Sequence, residues 1–229
     1  MHPLQIILSQ NRFTAPGMRL LAYVKNDILK PKIWDLLIEQ MIPGWQEMCI
    51  LDIGSGPCGK LKDRRFRRVD ITCLDIFKPY LSVCKELGFK IVYGDAKNLK
   101  DYFKPKSFDI VLLIDVLEHF KKPDGKKVLA QVEKIARKQI IIWTPVGWYP
   151  QDYDCVDEPW KKIGKLQVEI KNKYQQHLSA WYPKNLEKNG YRCTVLKNYH
   201  SDIRIASHEL KNLPSPVLAS QMWAIKLFK

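Results

Sequence analysis

The stretch Cys49-Ile50-Leu51-Asp52-Ile53-Gly54-Ser55-Gly56-Pro57-Cys58-Gly59 decides how the rest of the chain reads. An apolar run that stops at a glycine-rich turn suits a short strand of a parallel sheet, covered on both faces. Gly54 and Gly56 remove Cβ atoms where the chain must turn sharply, so a ligand can approach the main chain. The amides of that turn, and of the helix expected to begin after it, can cradle a polar or anionic group. The spacing Gly54, Gly56, Gly59 satisfies G-x-G-x-x-G, a pattern that many nucleotide- and phosphate-binding loops share.

Two acids narrow the ligand. Asp52 stands at the end of the strand, two residues before Gly54, where a carboxylate disfavours a pyrophosphate and favours a cation. A second apolar run, Ile71-Thr72-Cys73-Leu74, ends in Asp75, with 20 residues between Gly54 and Asp75. An acid so placed takes the hydroxyl pair of a ribose. A nucleoside with a positively charged group and no required phosphate meets both conditions. S-adenosylmethionine, an adenosine with a sulfonium and an ammonium, is such a ligand.

The segments Leu51-Asp52-Ile53-Gly54-Ser55-Gly56-Pro57, Leu74-Asp75, Gly94-Asp95-Ala96 and Phe108-Asp109-Ile110-Val111-Leu112-Leu113-Ile114-Asp115-Val116-Leu117-Glu118-His119 follow one another over about residues 35 to 145. In that order they resemble the class I S-adenosylmethionine-dependent methyltransferases, of the small methyltransferase-domain kind (types 11, 12 and 23). Cys58-Gly59 departs from the family, which often has its glycine one residue earlier. The resemblance implies an α/β fold: a Rossmann-like, doubly wound, seven-stranded and mostly parallel sheet with an antiparallel C-terminal hairpin. It implies that Asp52, Gly54, Ser55, Gly56, Asp75, Ile76, Asp95, Ala96, Asp115 and Val116 bind the cofactor. Asp95 would accept from the adenine amino group, with the following amide meeting the ring; its other reading is an Asp-capped turn. Asp115 lies at the C-terminal end of the fourth strand, where open α/β sheets place ligand sites. His119 reads either as a contact to cofactor or acceptor, or as a helix-start residue with a satisfied ring.

Outward from this centre the whole chain, 1–229, reads as one domain. Residues 1–16 form a loose arm, and apolar residues at helical spacing from Gly17 to Gln40, interrupted by Pro31, give N-terminal helices within 1–45. Helices are expected over 78–87, over 124–138 with Asp124 as cap, and over 183–189. Strands are expected over 90–93, 108–114, 139–143, 191–197 and 221–227, and the alternation argues a parallel sheet. Two long insertions, 144–180 and 198–220, remain. Loops of that length are functional or disordered, and the first leaves a strand end beside the cofactor, so it should wall the acceptor pocket. Its aromatics (Trp148, Tyr149, Tyr153, Trp160, Tyr174, with Trp181 and Tyr182 just beyond) offer stacking faces or simply fill a lid. The second holds His200, Arg204 and His208. The arrangement Thr144-Pro145-x-Gly147 with His177-x-Ser179-x-Trp181 is similar to small methyltransferases of glycan and natural-product pathways. His177 is the first candidate for a catalytic base or substrate contact and His119 the second; either residue also reads as structural.

The 229 residues, 46% hydrophobic, suffice for a sizeable core. The balance of 38 basic against 24 acidic residues gives +14, which fits a nucleic-acid or anionic partner, or merely lysine scattered along the surface. The densest basic run, 60–68, could grip phosphate or form a solvated helix face. Six cysteines without a C-x-x-C pair read as free, buried thiols of a reducing compartment. The short apolar run 4–8 lacks a basic lead, and no apolar run reaches about 18 residues, so a cytoplasmic protein without a membrane span is expected. Spacing shows no metal-binding cluster.

The reading that follows is a methyltransferase acting on an oxygen of a small molecule or glycan. An oxygen acceptor needs a base. The segment Asp115-Val116-Leu117-Glu118 stands where an Asn/Asp-Pro-Pro-Tyr/Phe motif would serve amino-group methylation of DNA bases or glutamine. Charge keeps an RNA methyltransferase as the alternative. A nicotinamide-dependent oxidoreductase, opposed by Asp52, and a non-catalytic methyltransferase-like binding module are the remaining readings.

Overall fold

A computed structural model describes residues 33–149, 162–163, 166–167, 172–200 and 219–228. The parallel strands are β1 (Cys49–Ile53), β2 (Asp70–Asp75), β3 (Lys90–Tyr93), β4 (Phe108–Ile114) and β5 (Ala136–Pro145). A short antiparallel ribbon, β6 (Lys162–Ile163) with β7 (Leu166–Gln167), stands apart. β8 (Arg192–His200) and β9 (Ala219–Leu227) then close the main sheet, which runs β3-β2-β1-β4-β5-β9-β8, with β9 antiparallel to both its neighbours. This is the seven-stranded, doubly wound sheet with an antiparallel C-terminal pair that the sequence implied.

Side chains alternate across a strand, and β4 shows what that does here. Ile110, Leu112 and Ile114 pack with Ile50, Ile71, Ile141 and Trp143 on one face, under Leu37 of α1 (Ile33–Gln40), Trp45, Phe66 and Leu81 of α2 (Lys78–Glu86). Val111 and Leu113 join Leu51, Ile53, Ile140 and Ile142 on the other, under Val128, Leu129 and Val132 of α3 (Lys122–Ile135). Because both faces are covered, the central strands read as almost unbroken apolar runs.

Register brings the strand ends level. Ile53 pairs with Leu74 and Leu113, Asp75 with Tyr93, and Ile114 with Trp143. The chain order reverses between β1 and β4, and a crevice at such a point, beyond the carboxyl ends of the strands, is where open α/β sheets take ligands.

Several expectations are corrected. After the glycine loop the chain makes two 3-10 turns, Gly59–Leu61 and Arg64–Phe66, in place of a helix. Asp63 accepts the Arg65 amide at 2.9 Å, and the buried Leu61 and Phe66 are five residues apart, a spacing that one helix does not put on one face. α3 starts before Asp124, with Lys121 at its cap and proline in its first turn. β5 continues through Thr144 and Pro145, which pair with Met222 and Gln221, so the first insertion starts later than 144. β8 and β9 likewise shorten the second to 201–218. The last helix, α4 (Pro183–Glu187), lies where expected. Cys58 and Cys84 are joined by a disulfide and are not free. Cys58 sits at φ 53° in the loop, and its Cα is 5.7 Å from that of Cys84 on α2. Cys73 is buried and free, and Cys49 and Cys193 are half-buried. The readings of 1–32, Tyr153, Cys155, Trp160, Arg204 and His208 fall outside the described residues. Among the described residues no helix is long and apolar enough to cross a membrane.

Leu112 lies fully buried at the centre of β4. Leu112→Ala is expected to lower unfolding stability by about 2–5 kcal/mol, read as a lower urea midpoint at unchanged slope.

Candidate functional site

The loop after β1 is held from three sides. The Gly54 and Ser55 amides both donate to the Leu74 carbonyl, at 2.8 and 3.2 Å. Gly54 has φ 62°, and a Cβ there would lie 2.8 Å from Cγ2 of Val116, the side chain that follows β4 by two residues. The Gly56 amide donates to Asp75 Oδ2 at 2.8 Å, and the Phe77 amide donates to Oδ1 at the same distance. Asp75 therefore ties the loop to the end of β2 and retains one acceptor site on each oxygen. Ile76 beside it is half-buried. No atom lies within 4 Å of where a Cβ on Gly56 would be, so the loop backbone there faces open space.

Beyond β3, a Cβ on Gly94 would meet the Tyr102 ring at 2.6 Å. Asp95 caps the following 3-10 turn: its Oδ1 accepts the Lys97 amide at 2.9 Å, and Oδ2 lies 3.3 Å from the Lys97 ammonium. This matches the capped-turn reading of Asp95. Ala96 is buried.

Asp52 is 1% exposed, and neither of its carboxylate oxygens has a hydrogen-bond partner. Burial pushes this carboxyl up to about 7; Lys60 pulls it down and Asp75 pushes it up further. Burial likewise raises Asp75 and Asp115. Asp115 holds a left-handed φ of 53° while its amide donates to the Trp143 carbonyl at 2.8 Å. Such a conformation costs about 1–3 kcal/mol in a residue other than glycine and clusters at functional sites. Lys60 donates to the Ile114 carbonyl and lies within electrostatic reach of Asp52, Asp75 and Asp115. Sequence reading missed this role, because Lys60 stands at the head of a basic run whose other members face solvent. Arg65 of that run is held by Asp63 and Asp35, at 2.7 and 2.5 Å.

A second group of side chains gathers on the 3-10 turn Leu117–His119. Glu118 is 3% exposed; Oε2 accepts the Thr144 hydroxyl at 2.9 Å, and Oε1 has no partner. Burial, with Asp115 adding to it, pushes the carboxyl up to about 8. The Glu118 carbonyl accepts the amides of Leu178 and Ser179 at 2.7 and 3.1 Å, and the Trp181 indole donates to the Leu117 carbonyl at 3.0 Å. The segment 177–181 is thereby fastened to the end of β4. It carries His177 against His119, edge to face, with ring centroids 4.8 Å apart. His119 Nδ1 faces the Gln176 carbonyl at 3.1 Å, and His177 Nδ1 faces the Tyr149 carbonyl at 2.6 Å. A carbonyl only accepts, so each Nδ1 carries the proton and each Nε2 keeps its lone pair. Burial lowers both imidazoles, His119 to about 4 with help from His177, so both are neutral near pH 7. Donor atoms of Glu118, His119 and His177 lie within 4.8 Å of one another, a grouping that spacing in sequence did not show. His200 falls in β8.

The chain is similar to known proteins in the same region. Residues 51–143 match the family described as a methyltransferase domain. Among curated proteins none matches the sequence significantly. Solved structures share the fold. The YcgJ protein of Bacillus subtilis is 15% identical, with a TM-score of 0.56 over 86% of this chain and 99% of that one. A SAM-dependent methyltransferase of Archaeoglobus fulgidus is 16% identical, with 0.52 over 90% and 99%. The phosphoethanolamine N-methyltransferase 2 of Haemonchus contortus, solved with S-adenosylhomocysteine, is 16% identical, with 0.54 over 85% of this chain and 52% of that one.

Asp52 generates a pH prediction. Its folded carboxyl titrates near 7 and its unfolded one near 3.8, so the folded state holds the proton more tightly. Its stabilising contribution is complete below pH 3.8 and is lost as pH rises through about 7. Urea unfolding across that window should show stability falling with pH, and Asp52→Asn should flatten this part of the profile.

Proposed function

We propose that this chain, whose residues 51–143 match a methyltransferase-domain family, is a class I S-adenosylmethionine-dependent methyltransferase that methylates a hydroxyl oxygen of a small molecule or glycan. The observation that carries the oxygen acceptor is the pair of neutral imidazoles, His119 and His177, gathered with Glu118 a few residues past the loop-packed Val116.

The residues of the loop fit the cofactor. The partnerless, buried Asp52 carboxylate answers a cationic ligand, and the open face of Gly56 leaves room for one. In this reading Asp52 and Asp115 oppose the cofactor's positive charge, and Gly54, Ser55, Gly56 and Val116 shape the loop around it. Asp75 meets the ribose with the acceptor sites that its two amides leave free, beside Ile76. Asp95 and Ala96 border the adenine. When bound, S-adenosylmethionine supplies an activated sulfonium methyl, so the protein needs to provide orientation, a dry pocket and matching charge.

A hydroxyl that attacks carbon must shed its proton. The Nε2 lone pairs of the two imidazoles, held in that tautomer by their carbonyl partners, are the groups of this pocket suited to meet an acceptor hydroxyl. The described residues 146–149 and 172–180 then border the acceptor side. Within the basic run Asp35 and Asp63 engage Arg65, while Lys62, Arg64, Arg67 and Arg68 stay exposed, so an RNA acceptor remains the alternative reading.

Calorimetric titration with S-adenosylmethionine and S-adenosylhomocysteine, against NAD as control, tests the cofactor. Dissociation constants on the order of micromolar are expected, weakened at least tenfold in Gly54→Val, whose side chain would collide with Val116. Methyl transfer to hydroxylated glycosides and phenols, followed by product NMR, tests the acceptor. His177→Ala should lower kcat by about 10²–10⁴ while S-adenosylhomocysteine affinity stays within twofold. Binding of NAD alone, or methylation at nitrogen only, would overturn the proposal.

A further inference from the structure

We propose that Glu118, His119 and His177 bind one divalent transition-metal cation of borderline softness, of the Zn²⁺ or Co²⁺ kind, beside the cofactor loop. The methyl-transfer reading enters only in what the cation does there; that it binds is argued from the side chains themselves.

One donor atom from each of the three residues lies within 4.8 Å of the others. A tetrahedral cation with ligands at about 2.0–2.2 Å holds its donors about 3.3–3.6 Å apart, so the three side chains would have to draw together by about 1 Å to close on it. The hydrogen bonds around the imidazoles already have the form that metal ligation requires. A ligating histidine donates its other ring N–H to a carbonyl or carboxylate, which fixes tautomer and ring orientation. Both histidines do so here, His119 to Gln176 and His177 to Tyr149, leaving both Nε2 atoms as donors. The carboxylate of Glu118 is oriented in the same way: Thr144 holds Oε2.

An independent observation points to a ligand. Oε1 of Glu118 is buried without a partner, on a residue 3% exposed. An unpaired buried polar atom costs about 1–3 kcal/mol, and more when charged. A pair of structural histidines would account for the ring packing and the two carbonyl bonds but would leave this oxygen unexplained. A cation satisfies it and offsets the repulsion between Glu118 and Asp115.

Two features of the surroundings bear on the site. Lys60 is within electrostatic reach of Glu118 and His119 and opposes a second cation. The sulfurs of Cys58, Cys73 and Cys84 form another close group, but the disulfide between Cys58 and Cys84 removes two of them as thiolate ligands.

Two neutral imidazoles and one carboxylate select ions of this class over Mg²⁺ or Ca²⁺, which prefer oxygen, and three protein ligands leave positions open. An acceptor hydroxyl in an open position would be oriented toward the cofactor and lowered in pKa, its proton leaving to water. The two neutral imidazoles would then act as ligands, with the deprotonation assigned to the cation.

The full chain, stripped with chelator, is titrated with Co²⁺, Zn²⁺ and Mg²⁺, reading the visible bands of bound Co²⁺ and the calorimetric heats. S-adenosylhomocysteine affinity is measured on every sample. One equivalent of Co²⁺ is expected, with nitrogen and oxygen coordination bands, no thiolate charge-transfer band, displacement by Zn²⁺ and none by Mg²⁺. His177→Ala and Glu118→Gln should each weaken it at least tenfold with S-adenosylhomocysteine affinity within twofold, and Lys60→Met should tighten it. The site is overturned if protein that binds S-adenosylhomocysteine takes up no stoichiometric Co²⁺, or if uptake survives both variants and is abolished by Cys73→Ser. Stoichiometric Co²⁺ without S-adenosylhomocysteine binding would instead keep the site and overturn the cofactor reading. Failure of both would overturn both.

Discussion

The turn that leaves β1 has no room for a side chain at Gly54. The backbone there takes φ 62°, and Val116 fills the space where a Cβ would stand. Glycine is nearly indifferent to that conformation, so the loop can close on the residues after β4 without strain of its own. The consequences spread through hydrogen bonds. The Leu74 carbonyl takes two loop amides, and Asp75 takes a third from Gly56 and a fourth from Phe77. The ends of β1, β2 and β4 are thus fixed relative to one another by main-chain geometry, and every carboxylate of the crevice inherits its position from that arrangement.

What the arrangement produces is a crowd of buried acids. Asp52, Asp75, Asp115 and Glu118 are all raised by burial, and Lys60 is the ammonium that acts on all four. Taking a carboxylate out of water costs several kcal/mol unless it is paired and hydrogen-bonded. Asp75 has its amides and Glu118 has half its share in Thr144, whereas Asp52 has neither. A fold selected only for stability would put apolar residues at such positions. A ligand that brought positive charge here would compete with Lys60 for these acids and supply the solvation they lack, so stability forgone in the free protein would become affinity in the bound one.

The sheet and the loop were legible because their signals are local. Apolar runs ending in Asp52, Asp75 and Asp115 mark strands whose polar ends share one edge, and register then aligns them. The features that escaped depend on pairs distant in sequence. Cys84 meets Cys58 only once α2 has packed beside the loop. His177 meets His119 only because the amides of Leu178 and Ser179 dock on the Glu118 carbonyl. Lys60 was hidden by composition: it shares a charge with Lys62, Arg64 and Arg68, yet it alone of these reaches the Ile114 carbonyl. Asp95 was ambiguous in sequence and remains a capped turn in structure, since a cap and a ligand contact ask for the same residue.

The two halves of the crevice share one short piece of chain. Val116 packs on Gly54, and two residues later Glu118 holds Thr144, Leu178 and Ser179. Between them the backbone of Leu117 anchors the Trp181 indole. A displacement of the loop that moves Val116 must therefore either distort this 3-10 turn or carry Glu118 and His119 with it. The left-handed φ of Asp115 immediately before the turn leaves little slack to absorb such a shift, because neighbouring conformations are closed to a residue with a Cβ. The separation between whatever occupies the loop and whatever meets the histidines is set by a few main-chain torsions. Direct displacement at a methyl group needs that kind of constraint, since reacting atoms must be held in line at about 3–3.5 Å. In the fold the same short segment joins the acid-rich edge to the histidine pair, His119 directly and His177 through the amides that dock on Glu118.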